Sequence, residues 1–288
     1  MTTPSEIGEF LRSRRARLSP ETAGIDPGGT GRRVPGLRRE ELAKLAGISA
    51  DYYVRLEQGR NRTVSEEVLD AVAAALRLDG AEREYLFRIA RPARRRDGAP
   101  VEPPQRVREG LYRLLETVDD VAPALILGRR TDVLAANVLA RALLVDWEAL
   151  PRRDRNVARF VFLDGYARSL LGNWDEVAWI TVTALRLEAG RHPGDPLLTD
   201  LIGELSVKSE DFGRLWAGHE VANFTGGLRV YRHPVVGEIT LPCESLTFPT
   251  DPDQTLCIHT VPPGSPAADS LRLLANWATR PGGLAPAR

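Results

Sequence analysis

Residues 38–59 of this 288-residue chain contain two short helix-forming stretches around a glycine, and they constrain the fold more than any other segment. Apolar residues recur at helical spacing on both sides of Gly47, which predicts one helix over residues 38–46 and a second over residues 50–58. Glycine at the junction permits the positive φ of a tight turn, and Ser49 is a suitable N-cap for the second helix. The pattern predicts a helix-turn-helix.

Three more stretches with helical periodicity flank this motif, at residues 7–18, 66–76 and 81–90. The helix at 66–76 is capped by Thr63 or by Ser65, and Thr63 together with Glu66 fits a capping box. A loop rich in glycine and proline, residues 19–36, follows the first helix. Residues 1–92 therefore predict an all-α domain of five helices.

The chain changes character after residue 92. Residues 93–105 are predicted to be a linker, because prolines, arginines and a glycine occur there without an apolar period. The three consecutive arginines at 94–96 would lie either in solvent or against a phosphate backbone. The first 97 residues carry nineteen basic and fifteen acidic side chains, whereas the whole chain has no net charge. If the protein binds a polyanion, we expect the N-terminal part to do so.

Residues 106–288 combine strand-like and helical stretches. Five strands are predicted, at residues 124–128, 132–137, 227–233, 236–248 and 255–261. The first two are close enough in sequence to form a hairpin, and the last three would form a meander. Helical stretches precede, separate and follow these strands, so we predict an α+β domain with an antiparallel sheet.

The composition and the motifs exclude several classes of protein. With only two cysteines, Cys243 and Cys257, the chain has neither a disulfide framework nor a CxxC metal site. The four histidines are dispersed, and GxSxG, Walker A and GxGxxG patterns are absent. We therefore predict no catalytic site, no metal and no cofactor. Apolar runs are too short to span a bilayer and the first residues lack an apolar signal segment, so we expect a cytoplasmic protein without a membrane partner.

The second helix of the motif would lie in the major groove, with its N-terminal part facing base edges. The residues predicted to face the bases are Ser49, Ala50, Asp51, Tyr52 and Arg55. Arg55 is the best candidate for a bidentate contact with guanine. Asp51 lies one turn earlier, where it would accept from cytosine or orient Arg55.

Phosphate contacts are expected on either side of this helix. The candidates are Arg38 and Arg39, which open the first helix, and Arg60, Asn61 and Arg62, which follow the second. The start of a helix favours an anion, and phosphate contacts position a protein without reading base sequence. For any single arginine, a solvated position is the alternative. Double-stranded DNA is the predicted partner.

Residues 7–90 resemble the lambda-repressor-like, XRE-type helix-turn-helix regulators through REELAKLAGISADYYVRLEQGR and VLDAVAAALRL. The likeness continues in the second half, where RTDVLAAN, RNVARFVF, ELSVKSEDFGRLWAGHEV and YRHPVVGEITL resemble the MmyB-like transcription regulators. One departure is Val64, at a position where proline is usual near the start of the fourth helix. The resemblance implies a C-terminal PAS-like ligand-binding domain that accepts fatty-acid-like molecules.

The pocket of a PAS-like domain would be mostly apolar, with a few placed polar groups. The candidate ligand-binding residues are Asn137, Arg155, Asn156, Arg159, Phe160, Trp174, Trp216 and His233. For a carboxylate ligand, Arg159 is the first choice for an arginine fork and Arg155 is the second. Structural roles are the alternatives: a helix cap for Asn137, a turn for His233 and the core for Trp174.

Together these patterns predict a transcriptional regulator that responds to a small apolar ligand and acts as a homodimer. The ligand would shift the population of the DNA-competent form. One alternative is a helix-turn-helix regulator whose C-terminal domain recruits a protein partner without a small ligand. A DNA-tethered enzyme is a third hypothesis, and the motifs give it little support.

Overall fold

The computed structural model describes residues 6–26, 34–61, 63–90, 104–222 and 226–280. The chain separates into two compact units. The first consists of Met1–Ala99, Ala189–Asp195 and Trp216–Ala222, and the second of Pro100–Glu188, Pro196–Leu215 and Asn223–Arg288. The first unit therefore includes two short segments from the C-terminal half of the chain. Most of the linker predicted at 93–105 lies outside the described residues.

Five helices form the N-terminal part of the first unit. They are α1 (Glu6–Arg17), α2 (Arg39–Leu45), α3 (Ala50–Glu57), α4 (Glu66–Ala75) and α5 (Gly80–Ala90). Their inward faces carry fully buried side chains, including Leu42, Tyr53 and Leu69. Phe10 and Tyr85 meet edge to face, with ring centroids 5.2 Å apart. The predicted all-α N-terminal region is confirmed.

Local chemistry sets the helix ends around the turn. Gly47 has a φ of 65°, a conformation that costs energy for residues with a Cβ. The Ser49 hydroxyl accepts the backbone N–H of Tyr52 at 3.1 Å, so Ser49 caps α3 as predicted. The cap of α4 is Ser65, not Thr63.

Eight α-helices, five strands and two short 3-10 helices, Trp147–Ala149 and Arg152–Asp154, occupy the described part of the chain after residue 103. The helices are α6 (Glu109–Thr117), α7 (Val138–Leu143), α8 (Val157–Leu163), α9 (Gly165–Leu170), α10 (Trp174–Arg191), α11 (Pro196–Lys208), α12 (Glu210–Ala217) and α13 (Pro266–Ala278). The strands are β1 (Ala124–Leu127), β2 (Val133–Ala136), β3 (Gly226–His233), β4 (Gly237–Phe248) and β5 (Asp251–His259). The short helix α9 was not predicted; it starts after Asp164, whose carboxylate accepts a backbone N–H of its first turn.

All five strands form one antiparallel sheet in the order β2-β1-β5-β4-β3. The hairpin of β1 and β2 and the meander of β3 to β5 are as predicted. The pairing of β1 with β5, which places Leu125 opposite Cys257, joins the hairpin to the meander. The α+β fold class is therefore confirmed, and β2 and β3 are the two edges of the sheet.

Different helices cover the two faces of the sheet. On one face, Tyr231 and Leu241 enter a large apolar cluster with side chains of α7, α8, α9, α10 and α13. On the other face, Leu115 of α6 packs with Ile126 and Leu256. Along the edge strand β3, Arg229, Tyr231 and His233 are buried on one side and the residues between them are more exposed, since successive side chains of a strand point to opposite faces.

Candidate functional site

The outer face of α3 is the candidate DNA-reading surface. Tyr53 and Leu56 are fully buried, so the opposite side of the helix faces outward. Asp51 and Arg55 lie on that outward side and are exposed. The residues predicted to face bases all lie at the cap or in the first two turns of this helix: Ser49, Ala50, Asp51, Tyr52 and Arg55.

The predicted phosphate contacts lie before α2 and after α3. The Arg38 side chain is exposed, and its backbone N–H donates to the carboxylate of Glu41 at 2.6 Å. Arg60 is exposed and Asn61 is half-buried, in the segment that follows α3. Arg62 lies outside the described residues.

Glu57, the last residue of α3, is a buried carboxylate with 2% exposure. Its Oε2 accepts from Nε of Arg15 at 3.1 Å, and its Oε1 accepts from Nη2 of Arg39 at 2.7 Å. Burial raises the pKa of Glu57, but the hydrogen bonds from Arg39 and Arg15 outweigh burial and hold the pKa below its ordinary value. The Glu57 carboxylate of α3 is therefore bound to side chains of both α1 and α2. Arg39 binds Glu57 and is also partly exposed to solvent.

The second candidate site is a cleft of about 870 Å³ in the second unit. Six arginines line it: Arg106, Arg130, Arg152, Arg153, Arg155 and Arg159. Three acidic residues, Asp132, Asp200 and Glu204, also line the cleft, together with apolar side chains that include Leu134. Because guanidinium groups outnumber carboxylates two to one, the cleft favours an anion.

Glu204 of α11 binds two of these arginines. Arg159 donates to Oε2 through Nε at 3.1 Å and through Nη2 at 2.6 Å, and Arg153 donates to the same oxygen at 3.0 Å. Hydrogen bonds from Lys208 and then from Arg159 lower the pKa of Glu204 to about 2. The Arg159 guanidinium, which the sequence analysis expected to bind a ligand carboxylate, therefore binds the Glu204 carboxylate instead.

Three other arginines of the cleft keep donor capacity. Across the described ranges, the exposed side chains of Arg106 and Arg152 have no hydrogen bond or ion pair. Arg155 donates from Nε to the Leu150 carbonyl at 3.1 Å and from Nη2 to the Glu148 carbonyl at 2.9 Å. These two bonds fix the Arg155 guanidinium at the wall of the cleft.

A smaller cavity of about 300 Å³ adjoins the cleft. Four residues line both: Tyr112, Val133, Leu134 and Arg155. Leu115 and Trp147 are among the apolar residues around the smaller cavity. Trp147 is 2% exposed, packs edge to face on Phe160, and carries an indole N–H without a hydrogen-bond partner among the residues described.

Sequence comparison assigns the two halves of the chain separately. The profile of the MmyB-like transcription regulator ligand binding domain matches residues 107–274, which is more than half of the chain. The chain belongs to the MmyB-like transcription regulators. A helix-turn-helix domain profile matches residues 6–86, in agreement with the motif predicted there. Comparison with curated proteins finds no match.

In this MmyB-like regulator, three of the predicted polar ligand residues serve the fold. Asn137 caps α7, and its Oδ1 accepts two backbone N–H groups at 3.0 and 2.9 Å. Asn156 is fully buried and caps α8 at 3.0 Å. His233 donates from Nε2 to the Ala142 carbonyl at 3.0 Å, and burial lowers its pKa, so the ring stays neutral. The hydrogen bonds of Asn137 and His233 are to backbone groups, and Asn156 also donates from Nδ2 to Oδ1 of Asp132 at 3.0 Å. Asn137 also lines the smaller cavity.

The three predicted aromatic ligand residues do not line either cavity. Phe160 and Trp174 lie in the large apolar cluster of the second unit. The indole N–H of Trp174 donates to the Val161 carbonyl at 3.0 Å. Trp216 is half-buried and groups with the first unit. Tyr112 lines both cavities, and Trp147 lines the smaller one.

Several residues of the MmyB-like regulator's cleft were missed by the sequence analysis. Arg152 and Arg153 precede Arg155 by three and two positions, so the basic run RRDR at 152–155 was a visible signal. Arg106 and Trp147 had no such signal, because each is brought to the cavities only by tertiary contacts.

The two cysteines of the regulator lie on neighbouring strands, as predicted. Cys243 on β4 pairs with His259, and Cys257 on β5 pairs with Ser245. Burial raises the pKa of the Cys243 thiol to about 12, which disfavours the nucleophilic thiolate at neutral pH. Within the described ranges, no helix combines the length and the apolar character needed to cross a bilayer.

Proposed function

We propose that this protein is a sequence-specific transcription regulator that reads the major groove with α3 and binds a small, fatty-acid-like molecule in its C-terminal domain. The helix-turn-helix match at residues 6–86, combined with the exposed outer face of α3, carries the DNA-binding part. The ligand-binding-domain match at residues 107–274 supports the sensor part. We propose no catalytic activity, metal or cofactor.

The N-terminal part of α3 contacts base edges in this proposal. Arg55 donates to O6 and N7 of a guanine. Asp51 lies one turn earlier on the same face, where it accepts from cytosine N4 or holds the Arg55 guanidinium in place. Tyr52 reaches a thymine methyl group or a phosphate, and the small residues Ser49 and Ala50 allow close approach to the groove.

The residues beside α3 contact the phosphate backbone. Arg38, Arg60, Asn61 and Arg62 position the protein on the duplex without reading its sequence. Arg39 contributes while it remains bound to Glu57, since its side chain is 45% exposed.

The C-terminal domain acts as a PAS-like sensor. Its antiparallel sheet, with helices on both faces and a basic cleft, supports this role. A ligand alters regulation only if it binds the DNA-competent and DNA-incompetent forms with unequal affinity. We propose that the regulator works in the cytoplasm as a homodimer on two half-sites, as expected for helix-turn-helix proteins.

DNA reading is tested by selecting duplexes from a random pool with the full-length protein, followed by fluorescence anisotropy on the selected duplex. Arg55→Ala is expected to lose about 1–3 kcal/mol of binding free energy and to relax preference at one base pair. The control is Arg83→Ala on α5, which removes a surface arginine paired with Asp70 and leaves affinity unchanged. Failure to retain any duplex at low salt contradicts DNA binding, and an Arg55→Ala protein with unaltered specificity contradicts the role of Arg55.

Ligand sensing is tested by native mass spectrometry of the purified protein. A copurified adduct of lipid size, together with a change in DNA affinity when dodecanoate is added, supports the sensor. Absence of both would favour the alternative in which the C-terminal domain recruits a protein partner.

A further inference from the structure

Two segments from the C-terminal half of the chain complete the first unit. Residues Ala189–Asp195 and Trp216–Ala222 group with the N-terminal helices and not with the segments that surround them in sequence. The helices α10 and α12 therefore each begin in the second unit and end in the first. Side chains of α1 contact the second of these segments, the 216–222 segment.

Arg14 of α1 makes the most buried of these contacts. Its side chain is 3% exposed, and its Nη2 donates to the His219 carbonyl. Glu82 of α5 and Glu220 of the 216–222 segment face the same guanidinium, with N–O distances of 2.9 and 3.9 Å. A buried charge is costly without close partners, so release of the 216–222 segment would leave Arg14 poorly compensated. The contact therefore opposes separation of this segment from α1.

Two further contacts of the 216–222 segment lie nearer the surface. Nη1 of Arg17 donates to Oε1 and Oε2 of Glu220 at 2.9 and 2.8 Å. Nε2 of His219 lies 3.5 Å from Oε2 of Glu9. Exposed pairs add little stability by themselves, but the Glu220 carboxylate faces the buried Arg14 as well as Arg17. The charge at position 220 is therefore the part of the contact that a substitution alters most directly.

The segment Ala189–Asp195 packs closely against α5. A Cβ added at Gly190 would lie 2.9 Å from Cε2 of Tyr85 and 3.7 Å from Cγ2 of Ile89, so glycine permits this approach. Tyr85 packs in turn on Phe10 of α1. Both segments from the C-terminal half are thus connected by contacts to α1.

The helix α1 links the 216–222 segment to the DNA-reading helix. Arg15 follows Arg14 in the sequence, and its Nε donates to Oε2 of Glu57 at the end of α3 at 3.1 Å. Nη1 of Arg15 donates to the Leu37 carbonyl, just before α2, at 2.7 Å. Adjacent residues of one helix therefore bind the 216–222 segment and α3. Such a continuous chain of contacts can carry coupling between two parts of a protein.

We propose that the 216–222 segment is a regulatory contact of the DNA-reading unit: bound to α1, it holds α1 and α3 in the arrangement that binds DNA, and its release weakens DNA binding. The inference rests on the proposed function of the helix-turn-helix unit as the reader of DNA. It adds a point of control, because residues that continue from α12 contact the DNA-reading unit directly. A surface already held in its binding arrangement loses less conformational freedom when it binds.

The contact is tested by fluorescence anisotropy of the full-length protein on the selected duplex. Glu220→Arg places a cation opposite Arg17 and the buried Arg14, so we expect duplex binding to weaken roughly tenfold. The matched control is Glu21→Arg, the same change of charge at an exposed position after α1. It should bind at least as tightly as the unaltered protein, because added positive charge favours binding to DNA. An effect of net charge alone would make Glu220→Arg bind more tightly as well.

A second substitution tests whether Arg17 and Glu220 act as a pair. Arg17→Glu removes positive charge, which by itself weakens binding to DNA. Added to Glu220→Arg, it restores an ion pair between α1 and the 216–222 segment. The doubly substituted protein should therefore bind the duplex more tightly than Glu220→Arg alone. Weaker binding by the doubly substituted protein would contradict the pairing.

Hydrogen exchange tests the same coupling in the unaltered protein, and so does not depend on the folding of any variant. If the bound 216–222 segment favours DNA binding, DNA must favour the bound segment to the same extent. Saturating duplex should therefore slow amide exchange in the peptide that covers residues 216–222. Equal duplex binding by the Glu220→Arg and Glu21→Arg proteins, or exchange that DNA leaves unchanged, overturns the inference while DNA binding stands. If the unaltered protein retains no duplex, both the inference and the proposed DNA-binding function are refuted.

Discussion

Replacing Glu57 with glutamine removes the charge that joins the three helices around the DNA-reading surface. The side chain is 1% exposed and accepts hydrogen bonds from Arg15 on α1 and Arg39 on α2. Removing one partner of a buried ion pair costs about 3–5 kcal/mol, because the other charge stays buried without compensation. Glutamine keeps the volume and one acceptor oxygen, and Arg39 is half exposed, so we expect a loss of roughly 2–4 kcal/mol in the free energy of unfolding.

The pH dependence of this loss has a definite sign. The pKa of Glu57 is lower in the folded protein than in the unfolded chain, so the stabilisation is complete above the unfolded pKa of about 4.3 and is lost as the pH falls through the folded value. The difference in stability between the Glu57→Gln protein and the unaltered protein should therefore be large at pH 7 and shrink in acid.

The assay must report on the first unit alone, because the chain has two units and need not unfold in one step. Hydrogen exchange of the α2 and α3 backbone amides, read by mass spectrometry, meets this need. In a thermal melt of a domain of about 100 residues, the expected loss of stability would lower the melting temperature by an amount on the order of 10–20 °C. Glu40→Gln, at an exposed position of α2, is the matched control. Equal protection in the Glu57→Gln and Glu40→Gln proteins at pH 7 would refute the reasoning.

Three further predictions concern single positions. Gly47→Ala should destabilise the first unit by about 1 kcal/mol in urea denaturation, because φ is 65° although no atom lies within 4 Å of the added Cβ; a loss above about 3 kcal/mol would point to a clash instead. Asn137→Ala should cost about 2–3 kcal/mol in the second unit, since it removes the α7 cap and leaves the buried Ala124 N–H without its acceptor; an unchanged unfolding midpoint would contradict this. Glu204→Gln should remove an acid-sensitive part of the stability that is present above about pH 4 and lost as the pH falls towards 2; identical thermal melts of the two proteins at pH 6 would show that Glu204 contributes nothing.

The sequence was sufficient for features that depend on neighbouring residues. Helix periods, the Ser49 cap and the positive φ of Gly47 follow from chemistry within a few positions, and all are present in the structure. Alternation and length identified the five strands, although their order β2-β1-β5-β4-β3 required the pairing of residues about 130 positions apart. The choice of Ser65 over Thr63 as the α4 cap was left open because both have a suitable hydroxyl.

The candidate ligand site depended instead on distant residues. Arg159 was a reasonable choice for the anchor by residue type, yet Glu204, 45 positions later, occupies its guanidinium. Glu57 and Arg15 are 42 positions apart, and nothing in either local segment indicates their contact. The sequence determined which segments are helical or extended and that an N-terminal helix faces outward, because these depend on local periodicity and burial. Only the tertiary structure decided which arginines keep free donors, because the pairing of charges depends on which surfaces the packed helices bring together.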